Sequence, residues 1–377
     1  MTLTYCFYSY FMLTILVRYE KQRSTFTCNL ESALMSRSIK FAIAALLTST
    51  MGTAATAAEV NIYSYRQPQL INPILAEFTK KTGIKTNVVF AKKGLVERLK
   101  AEGQNSPADL ILTVDISRLD GAKAGGVTQA LTNDTLSGNI PSQYRDGEGH
   151  WFGLTTRARV VYASKDRVAQ NDITYEELAD PKWKGKICTR SGQHVYNLGL
   201  FASMVNHKGE AAAKTWLEGV KANLARKPTG NDRAQVNAIF SGECDISLGN
   251  TYYMGLMQTN EKKPEQKEWA ASVKVLFPNA NDRGTHVNIS GMALTKHAPN
   301  KADAVKLMEW LAGVEAQNLY ATANFEYPVK EGVAASDRVS SWGTLKPDTL
   351  SLNEIAAKRG KASEMVDTVD YDGGPSS

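Results

Sequence analysis

The chain of 377 residues is poor in the side chains that most catalysis and metal binding rely on, with four cysteines and five histidines. His150, His194, His207, His286 and His297 are scattered, and none forms the HExxH pair of a zinc peptidase or stands at useful spacing from an acid. No CxxC or HxxxH spacing accompanies the cysteines, which argues against a zinc site. There is no G-x-S-x-G elbow, no glycine-rich phosphate loop and no dinucleotide fingerprint. Enzyme readings therefore find nothing to rest on. Charge of one sign is also lacking: 44 basic residues face 38 acidic ones, interspersed along the chain. Without a basic block, neither nucleic acid nor an anionic membrane is an expected partner. After Ala58 no segment approaches 18 uninterrupted apolar residues, so the body of the chain is not expected to insert in a membrane. Internal repeats and low-complexity stretches are missing too.

The N-terminal region does carry an address. Met35 to Lys40 is basic, Phe41 to Met51 is apolar, and Ala55-Thr56-Ala57 has the A-x-A form of a cleavage site. Residues 35–57 thus read as a signal peptide, with a mature chain starting near Ala58 and working in the periplasm. Residues 1–34 read as an upstream extension from a mis-set start, the alternative being an extra membrane anchor. Of the cysteines only Cys188 and Cys244 lie beyond the signal. In an oxidising compartment the pair suggests a disulfide, against two buried free thiols as the alternative. The bond would close a loop of just under 60 residues, worth roughly 4 kcal/mol in the chain-entropy model.

Beyond Ala58, strand and helix signals alternate. Val60 to Tyr65 reads as a strand, and Asn72-Pro73 opens a helix running to Gly83. Thr86 to Phe90 is a strand, Leu95 to Glu102 a helix and Asp109 to Val114 a strand. This rhythm implies a parallel sheet covered by helices. Trp151 to Ser164 is extended, β-branched and long enough to cross between lobes, so it reads as a hinge strand, with Thr285 to Leu294 as the return. A second alternating block lies between them, with strands at Cys188 and at Cys244 to Leu248. Mostly helical runs follow, from Lys301 to Asn318 and from Leu352 to Val366. The expectation is an α/β fold of two doubly wound lobes joined by hinge strands. The N-terminal lobe would span 58–155, the C-terminal lobe 156–284, the return crossing and final helices 285–370, and a disordered tail 371–377. Such a fold collects its ligand in the cleft at the carboxyl ends of the strands. In an exported protein, this suggests a binding protein that closes on a solute.

The chemistry-bearing residues are tyrosines. Tyr252 and Tyr253 are adjacent, so on a strand they would face opposite ways. In the first turn of a helix they lie about 100° apart and can lean toward one point. Asn250 or Thr251 would cap that helix, and its dipole would favour phenolate over phenol. Tyr196 follows a strand and the turn Ser191-Gly192-Gln193-His194 in the same way. The alternative for all three is aromatic packing at helix starts. Phenolate oxygen is a hard anionic donor suited to hard cations, and three would neutralise a trivalent ion while leaving coordination positions for water or a small anion. Arg157, on the hinge strand, faces the cleft if alternation holds, and the backbone N–H groups of Ser191 to Val195 form an anion nest. The alternative for Arg157 is an inter-lobe ion pair. His194 could reach the site or could be a solvated turn histidine.

Several motifs then fall in order. Val60-Asn-Ile-Tyr-Ser-Tyr-Arg-Gln-Pro68, Gly153-Leu-Thr-Thr-Arg-Ala-Arg159, Arg190-Ser-Gly192, Tyr196-Asn197, Gly249-Asn-Thr-Tyr-Tyr253, Thr285-His286, Asn288-Ile-Ser-Gly291 and Glu326-Tyr-Pro-Val-Lys330 resemble the periplasmic ferric-ion-binding proteins of bacterial ABC importers. The likeness runs from about Glu59 to Val366. It implies a periplasmic-binding-protein type II-like fold, Fe3+ held by Tyr196, Tyr252 and Tyr253, and delivery to an inner-membrane permease and its ATPase by a monomer. Many relatives carry a further His-Tyr pair after the first strand. Arg66-Gln67-Pro68 stands there instead, which implies the branch in which carbonate or bicarbonate completes the shell, bound by Arg157 with Gln67 and Ser191. The other readings are an exported receptor for a small organic anion or thiamine-like solute, and a secreted metalloenzyme with an open iron position.

Overall fold

The structure, a computed structural model, describes residues 58–375; the signal peptide and the 1–34 extension lie outside them. The first elements are β1 (Glu59–Ser64), α1 (Pro68–Thr82), β2 (Lys85–Phe90), α2 (Leu95–Glu102), β3 (Leu110–Thr113), α3 (Ile116–Ala124) and α4 (Asp134–Asn139). After β4 (Phe152–Ser164) come β5 (Ile187–Cys188), α5 (Val195–Lys208), α6 (Glu210–Ala222), α7 (Asp232–Phe240), β6 (Ile246–Asn250), α8 (Thr251–Gln258), α9 (Glu265–Ala271) and β7 (Val273–Leu276). The chain closes with β8 (Val287–Leu294), α10 (Lys301–Ala312), α11 (Val314–Asn324), β9 (Tyr327–Pro328), α12 (Asp337–Ser340), α13 (Leu352–Ala357) and α14 (Arg359–Val369).

The sheet order is β2-β1-β3-β8-β4-β6-β5, with β7 and β9 also paired to β4. β1 pairs in parallel with β2 and β3, as the βαβαβ rhythm requires. β8 joins β3 and β4 antiparallel. β4 is the crossing element. Phe152 to Ala158 pair with β8, and from Arg159 onward the strand pairs with β6 instead. All thirteen of its residues are buried. Because side chains alternate, Arg157 and Arg159 project from one face at this handover.

Each half of the sheet has its own apolar packing. Ile71, Ile74, Leu75 and Phe78 make the buried stripe of α1 at helical spacing and lie in one cluster with Ile62, Leu110, Leu112, Met292, Leu307 and Leu311. Behind β4 and β6, Val160 and Tyr162 cluster with Val236 and Ile239 of α7 and with Met254 and Met257 of α8. At about 1.5–3 kcal/mol for each large apolar side chain buried, this packing fixes where α7 and α8 begin.

Some boundaries move. α1 begins at Pro68 rather than near Asn72, because Pro68 takes the first turn, where no N–H partner is needed, and Pro73 is accommodated inside. Cys244 lies in the turn before β6, not in a strand, yet it is bonded to Cys188, with the Cα atoms 5.9 Å apart. The tail expectation is corrected. Tyr371–Gly373 forms a helical turn, the Tyr371 ring is fully buried, and its hydroxyl lies 3.0 Å from Thr189 Oγ1.

Candidate metal centre

The three tyrosines converge. Tyr196 is the second residue of α5, and Tyr252 and Tyr253 are the second and third of α8. The helices follow the two strands of one parallel pair, α8 directly after β6 and α5 after the turn that leaves β5. The Tyr252 hydroxyl donates to the Tyr196 hydroxyl at 3.0 Å. The Tyr252 and Tyr253 rings lie 4.4 Å apart between centroids, at 33°. All three line one cavity of about 130 Å³, together with Tyr65, Arg66, Gln67, Arg157, Arg233 and Glu326.

Local sequence explains the convergence. A Cβ on Gly249 would come within 2.1 Å of the Tyr162 ring, so only glycine lets β6 approach closely enough for the Tyr162 hydroxyl to donate to the Asn250 carbonyl at 2.5 Å. Asn250 precedes α8, but its side chain does not cap the helix. It accepts from Arg159 Nη1 at 3.1 Å instead. His194 is the N-cap of α5, its Nδ1 accepting the Tyr196 N–H at 3.2 Å. Burial, reinforced by the Arg190 charge, pulls His194 down to about 3, so it is a neutral acceptor there. It is a capping group, with its ring edge-on to Tyr196.

Around the phenols lies a frame of arginines. Arg157 and Arg66 both pair with Glu326, at 2.8 Å and 2.9 Å, and both donate to Ser290. Arg157 also donates to the Val114 carbonyl at 2.8 Å. Arg159 and Arg190 share Asp232 at 2.8 Å and 3.1 Å. Burial alone would raise Glu326, but Arg157 and Arg66 outweigh it and hold the carboxyl down at about 2. The same contest, won by Arg159 and Arg190, keeps Asp232 low. Guanidinium carbons stand 5.8 Å from the Tyr252 ring centroid (Arg157), 5.2 Å from that of Tyr196 (Arg190) and 4.8 Å from that of Tyr253 (Arg233).

The helix dipole does not by itself ionise these phenols. Burial, with the proximity of Tyr196 and Tyr253, pushes Tyr252 well above the ordinary phenol value. Burial and the charges of Tyr196 and Asp232 push Tyr253 up to about 12. At neutral pH, Tyr252 and Tyr253 are therefore protonated phenols that a strong cation would have to deprotonate.

The expected anion contacts divide. Gln67 lines the cavity. Arg157 lines it too, but its guanidinium is also the ion pair named as the alternative, shared with Arg66 on one carboxylate. The Ser191 expectation is corrected. Its hydroxyl donates to Asp372 at 2.5 Å and the Gly192 N–H donates to the same carboxylate at 2.6 Å, so the nest is filled by the chain's own terminal segment. Residue 192 must be glycine for this, since a Cβ would meet the Tyr371 ring at 2.7 Å. Among the described residues, no group of three or more His, Cys, Asp or Glu could hold a metal, and no helix is long and apolar enough to cross a membrane.

The chain is 46% identical to iron uptake protein A1 of Synechocystis over 82% of its own length and 86% of that protein's. The structure resembles the ferric iron-binding protein A of Mannheimia haemolytica in an open conformation, at 54% identity and a TM-score of 0.80, covering 84% of this chain and 99% of that one. It is equally close in shape, at 41% identity and a TM-score of 0.80, to a Trichodesmium protein solved in complex with iron and citrate, covering 83% of this chain and all of that one. The fold is thus that of the type II periplasmic binding proteins, as the sequence led one to expect. Residues 74–347 match the family described as bacterial extracellular solute-binding protein. Over well more than half its length, therefore, this chain belongs to the bacterial extracellular solute-binding protein family.

Proposed function

We propose that this chain is a periplasmic binding protein that captures Fe3+ through the phenolates of Tyr196, Tyr252 and Tyr253 and hands it to an inner-membrane ABC permease. The observation that carries this reading is the convergence of three phenols, two with oxygens 3.0 Å apart, on one small cavity. Phenolate is the anionic hard donor that a trivalent cation selects. Three of them balance its charge, so the metal enters as cargo without leaving a net charge on its ligands. The relatives named for ferric iron support the choice of ion.

A carbonate-like anion fits beside the metal. Arg157 Nε is buried with no hydrogen-bond partner among the described residues, and Arg157 and Gln67 both line the cavity. Arg157 would hold the anion, which would fill coordination positions that the protein leaves open. Of the rival solutes, a small organic anion or a thiamine-like molecule, the thiamine-like one fits less well. Pockets for such ligands run to about 300–1,000 Å³, against about 130 Å³ here.

The test is optical. Ferric ion on phenolate gives a visible charge-transfer band, so loading the purified chain at neutral pH should colour it, and a chelator should remove the colour. A chain that stays colourless after ferric loading would sink the proposal.

A further inference from the structure

Resting on the iron-capture reading, a second anion-binding arm can be identified from the charges that line the cavity. Four charged residues do so: Arg66, Arg157, Arg233 and Glu326. Glu326 is shared by Arg66 and Arg157. Arg233, from the first turn of α7, has neither an ion pair nor a side-chain hydrogen bond among the described residues, and its Nε is buried without an acceptor. Its guanidinium lies against the Tyr253 ring, 4.8 Å from carbon to centroid. Arg159 and Arg190 differ: both are committed to Asp232 and neither lines the cavity.

The lining thus holds three guanidiniums against one carboxylate, a surplus of two positive charges. A ferric ion on three phenolates adds none. Unbalanced charge facing a partly desolvated cavity is costly, and an arriving anion removes that cost in proportion to its own charge. A planar guanidinium already held against a ring, with donors still free, is preorganised to receive an oxyanion.

We infer that Arg233, which lines the same cavity as Arg157, is the second arm of the anion subsite, and that together they select a small dianion over a monoanion as the companion of the iron. Arg157 supplies a position fixed by Glu326 and the Val114 carbonyl. Arg233 supplies the charge that has no counter-ion among the described residues.

The test compares the full chain with Arg233→Gln and Arg233→Lys. Iron is supplied as ferrous chloride and oxidised by CO2-free oxygen in carbonate-free buffer, to which carbonate, oxalate or formate is added singly. The charge-transfer band is recorded and the iron is titrated out with a hydroxamate chelator. The unaltered chain should hold iron more tightly with either dianion than with formate by roughly tenfold, the size of one partly screened charge contact. Arg233→Gln should stay coloured but lose that preference, and Arg233→Lys, which keeps the charge, should retain most of it. An unchanged preference in Arg233→Gln overturns the assignment while leaving iron capture intact. Absence of colour in the unaltered chain with every anion overturns both.

Discussion

The Asp372 carboxylate accepts the Gly192 backbone N–H at 2.6 Å and the Ser191 hydroxyl at 2.5 Å. These bonds tie the last described turn of the chain to the turn that delivers Tyr196, four residues beyond Gly192. An anion nest at the start of α5 is thereby satisfied internally, and the fully buried Tyr371 ring anchors the contact. Hydrogen bonds to a charged group contribute about 1.5–3 kcal/mol each when buried, less when partly exposed as here. Replacing Asp372 by Ala should therefore destabilise the protein by about 2 kcal/mol and lower its melting temperature by several degrees. Iron affinity should fall as well, because Tyr196 loses the turn that aims it. Thermal scans and iron titration check both; a variant that matches the parent in each would make the segment a passive tail.

Tyr252→Phe and Tyr253→Phe separate ligation from packing. In the metal-free protein both phenols are held protonated by burial, so removing a hydroxyl leaves the rings packed. Among the described residues the one hydrogen bond lost is that from Tyr252 to Tyr196, worth about 1 kcal/mol. Melting should thus barely change. Iron affinity should drop by about 100-fold or more, beyond the roughly 10–100-fold typical of outer-shell partners. Full iron binding in both variants, measured by titration, would show that the phenols merely pack.

The parts of this site that could be read from the sequence are local. Tyr196, Tyr252 and Tyr253 each follow a short strand within a few residues, and Arg157 follows from alternation along β4. What escaped depends on distant partners. Glu326 meets Arg66 and Arg157 across 260 and 169 residues, and no period or motif pairs them. Arg159 stood in a recognisable motif, but its partner Asp232 is set by the packing of α7 behind β6. The terminal Asp372-Gly-Gly-Pro run has the composition of a loose tail, and composition is blind to one buried tyrosine that pins it down. The same limit explains Ser191: a nest at a helix start is legible, whereas its occupant 181 residues away is not.

Glu326 should prove a structural hub. It is only 2% exposed and takes charge-assisted bonds from two buried arginines. Breaking a buried ion pair from one side typically costs about 3–5 kcal/mol, because the partner charges stay behind. Glu326→Gln should destabilise the protein by that order. The pH dependence gives a second signature. Its carboxyl lies at about 2 in the folded protein against an ordinary 4.5, so the stability it contributes is complete above pH 4.5 and drains away as pH falls toward 2. The gap in melting temperature between parent and Glu326→Gln should therefore be full at pH 6 and shrink on acidification below 4.5. A gap that stays constant down to pH 3 would remove Glu326 from the charge frame.

Iron capture itself should run in the same direction on the pH axis, for a different reason. Tyr252 and Tyr253 start as phenols raised above their ordinary value, Tyr253 to about 12, and a phenol ligates only after losing its proton. Each phenol that ionises on binding makes the apparent affinity fall up to tenfold per unit of pH below its own pKa. Three together make the loss steep, so a modest acidification should release the metal and bleach the band. Titrating the loaded chain from pH 8 to pH 5 with a competing chelator measures the slope. A slope near three protons per iron matches three phenolate ligands. Substituting one tyrosine should reduce it by about one, whichever of the three is changed.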